Sequence, residues 1–131
     1  MKLLLDTHIW LWALLEPERI SARVGKELDN LANERWLSPI SVWELVNLHS
    51  KKRFALDAPI EEWIASSMQK FRTIEAPFTH EVAVETAGIA IPHRDPADRF
   101  LTATANVFGL TLVTADAVLI KAKACPILAA R

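Results

Sequence analysis

Four acidic side chains stand where apolar runs end. Asp6 follows "KLLL", and Asp116 lies two residues beyond "LTLVT". Glu44 falls early in the helical segment "SVWELVNLHSKKR", and Asp98 just inside "PADRFLTATANVF". Each position has an architectural reading. Ser41 and Glu44 match a capping box, in which the glutamate serves only the helix start. Asp95 followed by Pro96 reads as a cap and a first-turn proline, which leaves Asp98 third in its helix. Asp6 and Asp116 can also be caps. Taken together, these readings leave a charge problem. The helix dipole returns about 0.3–1 kcal/mol to an exposed carboxylate, whereas two like charges about 4 Å apart repel by about 4 kcal/mol at an effective dielectric of 20. Carboxylates gathered in one pocket therefore need cations. Hard oxygen ligands without cysteine or histidine spacing suit Mg²⁺ or Mn²⁺ rather than zinc. Two such ions about 3.5–4 Å apart serve in-line displacement at phosphorus, which points to phosphodiester cleavage.

Whether the acids meet depends on the elements that carry them. Short apolar runs alternate with segments of helical period. Residues 2–5 read as a buried strand, and "THIWLWALL" as a helix that Glu16-Pro17 terminates. "SARVGKELDNLAN" is amphipathic, with Ser21 placed to cap it and Val24, Leu28 and Leu31 on one face. "RWLSPI" is a second strand. "APIEEWIASSMQKF", "HEVAVETAGIA" and "PADRFLTATANVF" read as helices, with "TIEAP" strand-like before the second of them and Gly109 closing the last. "LTLVT" is apolar and β-branched, hence a strand; a short helix from Asp116 and a strand near "PILA" finish the chain. Strands separated by helices require crossover connections, so the class is α/β with a mostly parallel sheet covered on both faces. Ligands then bind beyond the carboxyl ends of the strands. Asp6, Glu44 and Asp116 are expected there, while periodicity alone leaves the route of the Asp98 helix back to that edge open.

Composition narrows the class. At 131 residues, 51% hydrophobic and 24% charged, the chain fits one globular domain over residues 1–131. No apolar run approaches the roughly 18 residues of a membrane span, and Asp6 interrupts any leader-like segment. The single cysteine, Cys125, excludes an intrachain disulfide and a cysteine-based zinc site, so a cytoplasmic protein is expected. The net charge of −1 offers no global field for nucleic acid; any such binding is local, with "KKR" at 51–53 either a contact or a solvated face.

The stretches "LLLDTHIWLW", "SPISVWEL", "DPADRFLTATA" and "GLTLVTAD", in this order and spacing, resemble PIN-domain proteins, and among them VapC-like toxins of type II toxin–antitoxin systems. The resemblance covers essentially the whole chain. It implies a three-layer α/β/α fold and a metal-dependent endoribonuclease. Its metal-binding and catalytic acids fall on Asp6, Glu44, Asp98 and Asp116, and the fold brings Asp98 beside Asp6. One or two Mg²⁺ or Mn²⁺ ions held there would polarise an RNA phosphate and supply a hydroxide, leaving 5′-phosphate and 3′-hydroxyl ends. Thr7 and Thr114 match small polar positions that contact a bound water or phosphate. Arg99 either touches phosphate or forms a structural ion pair. His8 and His93 lack partners at zinc spacing and are read as hydrogen-bonding or substrate-side residues.

The five tryptophans are expected mostly in the core, yet the helix from Thr7 is apolar on nearly every side, more than one sheet face buries. The resemblance supplies a protein to cover the surplus: a second copy in a homodimer, or a cognate antitoxin. Three rivals stand beside this reading. An aspartyl-phosphate phosphatase needs an aspartate where His8 stands. A silent RNA- or protein-binding module would tolerate loss of an acid, and none of the four is missing. A housekeeping PIN nuclease shares the whole site.

Overall fold

The computed structural model describes residues 1–52, 55–92 and 95–130. Its centre is the first apolar run. Strand β1 (Lys2–Leu5) carries three fully buried leucines. Leu3 and Leu5 enter one apolar core and Leu4 the other, as the two-residue period of a strand dictates. Around it lie β2 (Glu34–Leu37), β3 (Ile74–Glu75), β4 (Thr111–Thr114) and β5 (Ile127–Ala129). All neighbours pair in parallel, in the order β3-β2-β1-β4-β5. The chain therefore steps outward from β1 to β2 and β3, then crosses to the far side for β4 and β5. That reversal creates a topological switch between β1 and β4, where an open α/β sheet forms its binding crevice.

Helices cover both faces, giving the three expected layers. On the Leu3 and Leu5 side pack α1 (Thr7–Leu15), α2 (Ala22–Asp29), α3 (Pro39–Ser50) and α4 (Ile60–Lys70), through Ile9, Trp10, Val24, Leu28 and Leu45 together with half-buried Trp63 and Met68. On the Leu4 side pack α5 (His80–Glu85), α6 (Pro96–Phe108) and α7 (Ala117–Ala122), through Val82, Leu101, Ala103, Ala105 and Leu119. Among the described residues, no helix is long and apolar enough to cross a membrane.

Several boundaries moved for local reasons. Helix α3 starts at Pro39, because Ser38 accepts the Ile40 amide at 3.1 Å and the proline has no amide to leave unpaired. Ser41 is thus inside the helix and Glu44 in its second turn, so the capping-box reading of this pair fails. Helix α2 stops at Asp29, which leaves Leu31 fully exposed instead of on the buried face. The segment from His80 breaks after Glu85 into a 3₁₀ turn, Thr86–Gly88. Helix α1 spends most of its apolar surface inside the chain: Ile9, Trp10 and Leu11 are buried, Trp12, Ala13 and Leu14 pack against the core, and Leu15 is exposed at its end. The surplus expected on this helix is small, and the larger exposed apolar side chains, Trp43, Val46, Phe78 and Val84, lie elsewhere. Helix α6 matches its sequence bounds, with Asp95 accepting the Ala97 amide at 3.0 Å and Gly109 closing it at φ +66°, a conformation that suits glycine.

Candidate functional site

The switch between β1 and β4 opens into a cavity of about 220 Å³ lined by Asp6, His8, Trp12, Glu44, Asp95, Asp98, Ala115 and Asp116. All four acids expected from the sequence line it. Asp6 leaves the end of β1, and its amide donates to the Val113 carbonyl of β4 at 3.0 Å. Asp116 follows β4 and caps α7, its Oδ1 accepting the Val118 and Leu119 amides at 2.8 and 3.2 Å. Glu44 reaches in from α3. Asp98 arrives on the first turn of α6, the helix that runs into β4, so the uncertain connection closes on the same edge. Asp95 is a fifth carboxylate that the sequence reading assigned only to capping. It does cap α6, but it also lines the cavity and its charge bears on Glu44.

Thr7 and Thr114 serve the acids directly. The Thr114 hydroxyl donates to Asp6 Oδ2 at 2.7 Å and accepts the Asp116 amide at 3.0 Å, so one side chain fixes two acids. Thr7 Oγ1 lies 2.5 Å from Glu44 Oε1 and 2.9 Å from Ser41 Oγ. A hydroxyl carries one proton; the Thr7 proton goes to the carboxylate, and Ser41 donates to the Thr7 oxygen. Both threonines are buried. They orient carboxylates, a role the sequence reading did not assign them. Arg99 also departs from expectation. Its Nη1 donates to the Ile89 carbonyl at 2.6 Å, tying α6 to the segment behind it, and it does not line the acid cavity. His8 is exposed at the mouth, its ring 6.4 Å from that of Trp12. His93 and Arg53 lie outside the described residues, whereas Lys51 and Lys52 are exposed.

The electrostatics match the geometry. Burial raises the Asp6 carboxyl above its usual range, and the neighbouring Asp116 charge adds to this, against the opposing hydrogen bond from Thr114. Burial raises Glu44 too, with repulsion from Asp95 and Asp6 exceeding what His8 returns. Among the described residues lining the cavity, His8 is the one side chain able to carry positive charge. Among the described residues no three acid, imidazole or thiol groups converge tightly enough to form an all-protein cage. Mg²⁺ does not need such a cage, because it keeps several waters and takes one or two carboxylates plus substrate phosphate. At about 30 Å³ per water, the cavity has room for such a partly hydrated ion.

Thr114→Val should therefore weaken Mn²⁺ binding by about 10–100-fold, the usual cost of losing a group that orients a metal ligand. Thr114→Ser should restore most of it. Calorimetric titration of Mn²⁺ into folded protein reads this, and unchanged affinity in the valine variant would show that Thr114 only packs.

Known proteins share this architecture. The family described as the PIN domain matches residues 3–124. Ribonuclease VapC22 of Mycobacterium tuberculosis is 34% identical over 116 residues, 86% of this chain and 85% of that protein. Among solved structures, VapBC2 from Rickettsia felis, bound to a DNA fragment from its promoter, superposes with a TM-score of 0.71 at 19% identity, covering 98% of both chains. FitAcB from Neisseria gonorrhoeae superposes with a TM-score of 0.64 at 23% identity, covering 96% of both. At these identities the superpositions speak for the fold; the family match and the VapC22 relative extend over most of the chain, which belongs to the PIN-domain family.

Proposed function

We propose that this chain is a metal-dependent endoribonuclease, the toxin of a type II toxin–antitoxin pair with a cognate antitoxin as its protein partner. The observation that carries the reading is one cavity at the sheet switch walled by Asp6, Glu44, Asp98 and Asp116. The ribonuclease relative at 34% identity supports the activity, and the toxin–antitoxin complexes among its structural likenesses support the partner. Mg²⁺ or Mn²⁺ fits the donor set, all hard carboxylate oxygens. When bound, such an ion polarises a phosphoryl oxygen and lowers the pKa of water.

The chain's own residues do the rest. Asp6, fixed by Thr114, and Glu44, fixed by Thr7, hold two negative charges in a partly dry wall. Asp116 is set by its own helix cap, and Asp98 by the first turn of α6. His8 stands at the open side, where an approaching phosphate passes. Pre-set carboxylates need no reorganisation when charge develops, which is the larger part of electrostatic catalysis.

Purified protein incubated with single-stranded RNA should cleave it in Mg²⁺ or Mn²⁺ and leave 5′-phosphate and 3′-hydroxyl ends. Chelation should stop cleavage, and restoring the ion should return it. Full cleavage by chelated protein, or 2′,3′-cyclic phosphate ends, would remove metal-assisted hydrolysis from consideration.

A further inference from the structure

Trp43 is 60% exposed, an expensive position for the largest side chain. It lies on one face of α3 with Ile40, Asn47 and Lys51, and this face is one wall of a cleft of about 770 Å³. The opposite wall is the start of α6, including Phe100, whose ring is braced edge-on by Phe78 with centroids 4.8 Å apart. The cleft joins the acid cavity, because His8, Glu44 and Asp95 line both. Its far end carries Lys51, eight residues beyond Trp43 and so about 12 Å further along the helix.

We propose that this cleft is a nucleobase subsite of the RNA substrate, with Trp43 as the stacking platform beside the scissile phosphate and Lys51 receiving a neighbouring phosphate. The proposal rests on the ribonuclease reading above. The sequence of surfaces along the cleft fits one nucleotide's chemistry: a carboxylate-lined end where a bound metal ion would take phosphate, an aromatic middle, then a fixed positive charge. Its volume is within the roughly 300–1,000 Å³ of small-molecule sites. Stacking tolerates any base, since every base offers a π-face.

The test uses the full chain carrying Asp98→Asn, which blocks cleavage, in Mg²⁺. Two fluorescein-labelled probes are titrated by anisotropy: a ten-residue single-stranded RNA of mixed sequence, and the same ribose-phosphate backbone without bases. Trp43→Ala should weaken the intact RNA by about 5- to 150-fold, the worth of one base–aromatic stack, and leave the abasic strand unchanged. Trp43→Phe should retain most of the preference, which guards against misfolding of the alanine variant. Lys51→Ala should weaken both probes alike, since phosphate contacts carry no base information. Equal losses on both probes with Trp43→Ala, or no loss on either, would overturn the subsite. So would unchanged RNA affinity accompanied by loss of a dimer in sedimentation or of a captured antitoxin, which would assign the cleft to protein. Cleavage of the same RNA by the unmodified chain is scored separately. A Trp43-dependent preference without cleavage sinks the nuclease and spares the subsite; cleavage with an indifferent Trp43 does the reverse.

Discussion

Asp98→Asn should leave the chain folded and reduce RNA cleavage by about three orders of magnitude, the rate equivalent of losing several kcal/mol of charge stabilisation at a metal site. Asparagine is nearly the same size, and α6 keeps its cap, because capping belongs to Asp95. The informative partner is Asp95→Asn. Asparagine caps about as well as aspartate, so stability should hold. Removing the Asp95 charge also relieves Glu44 of a repulsion, letting its carboxyl fall toward the ordinary range. Cleavage by this variant should stay within about tenfold of the parent, one tenfold being about 1.4 kcal/mol. Circular dichroism and initial rates on one RNA decide the matter. If Asp95→Asn is the inactive variant and Asp98→Asn cleaves normally, the two aspartates have exchanged roles. If both cleave normally, the stretch is only a helix start.

Asp6→Asn should separate stability from function. The Asp6 and Glu44 carboxyls sit above their ordinary values of 3.8 and 4.5, mainly through burial. In the window between those values and the raised ones, the folded chain binds more protons than the unfolded chain. Stability from these groups is therefore fully present below about pH 4 and is lost as pH rises through the raised values. At neutral pH the metal-free chain carries the cost of the buried charge. Asp6→Asn removes that charge, and the Thr114 hydroxyl, which now donates to Asp6, can turn to accept from an amide. The metal-free variant should melt higher than the parent at pH 7, lose that part of the pH slope, and gain little from added Mg²⁺. Cleavage should again fall by about three orders of magnitude. Thermal melts across pH, with and without Mg²⁺, would contradict this account if the variant melted lower than the metal-free parent or kept the parent's response to the ion.

Much of this site was legible because its carriers are short and strongly patterned. "KLLL" and "LTLVT" admit little but buried strands, so Asp6 and Asp116 could be placed at strand ends before any fold was known. The proline and glycine around α6 marked both its ends. What escaped depended on geometry across the sheet. Nothing local shows that α6 returns to the edge occupied by Asp6, which the order β2-β1-β4 decides. Nor does local sequence show that one aspartate can cap a helix and still face a cavity, as Asp95 does. The bonds from the threonine hydroxyls to Asp6 and Glu44 were not legible, because spacing places a residue near a site without saying which way it points. The partner of Arg99 was hidden for the same reason: it is the carbonyl of Ile89, ten residues back. In α3, two serines compete for the cap, and the proline between them favours Ser38 over Ser41.

The bond from Thr114 to Asp6 joins residues 108 apart. Proteins emerge from the ribosome N-terminus first, so Asp6 is made before its partner and waits for it while 108 further residues are added. The central strand is equally delayed on that side, since β1 finds β4 only then. A chain proposed to cut RNA is made beside a great deal of it. Because Thr114 is made 108 residues after Asp6, with Asp116 following it, nascent and prematurely terminated chains that stop short of them lack a complete acid site, and the proposed activity waits for their synthesis.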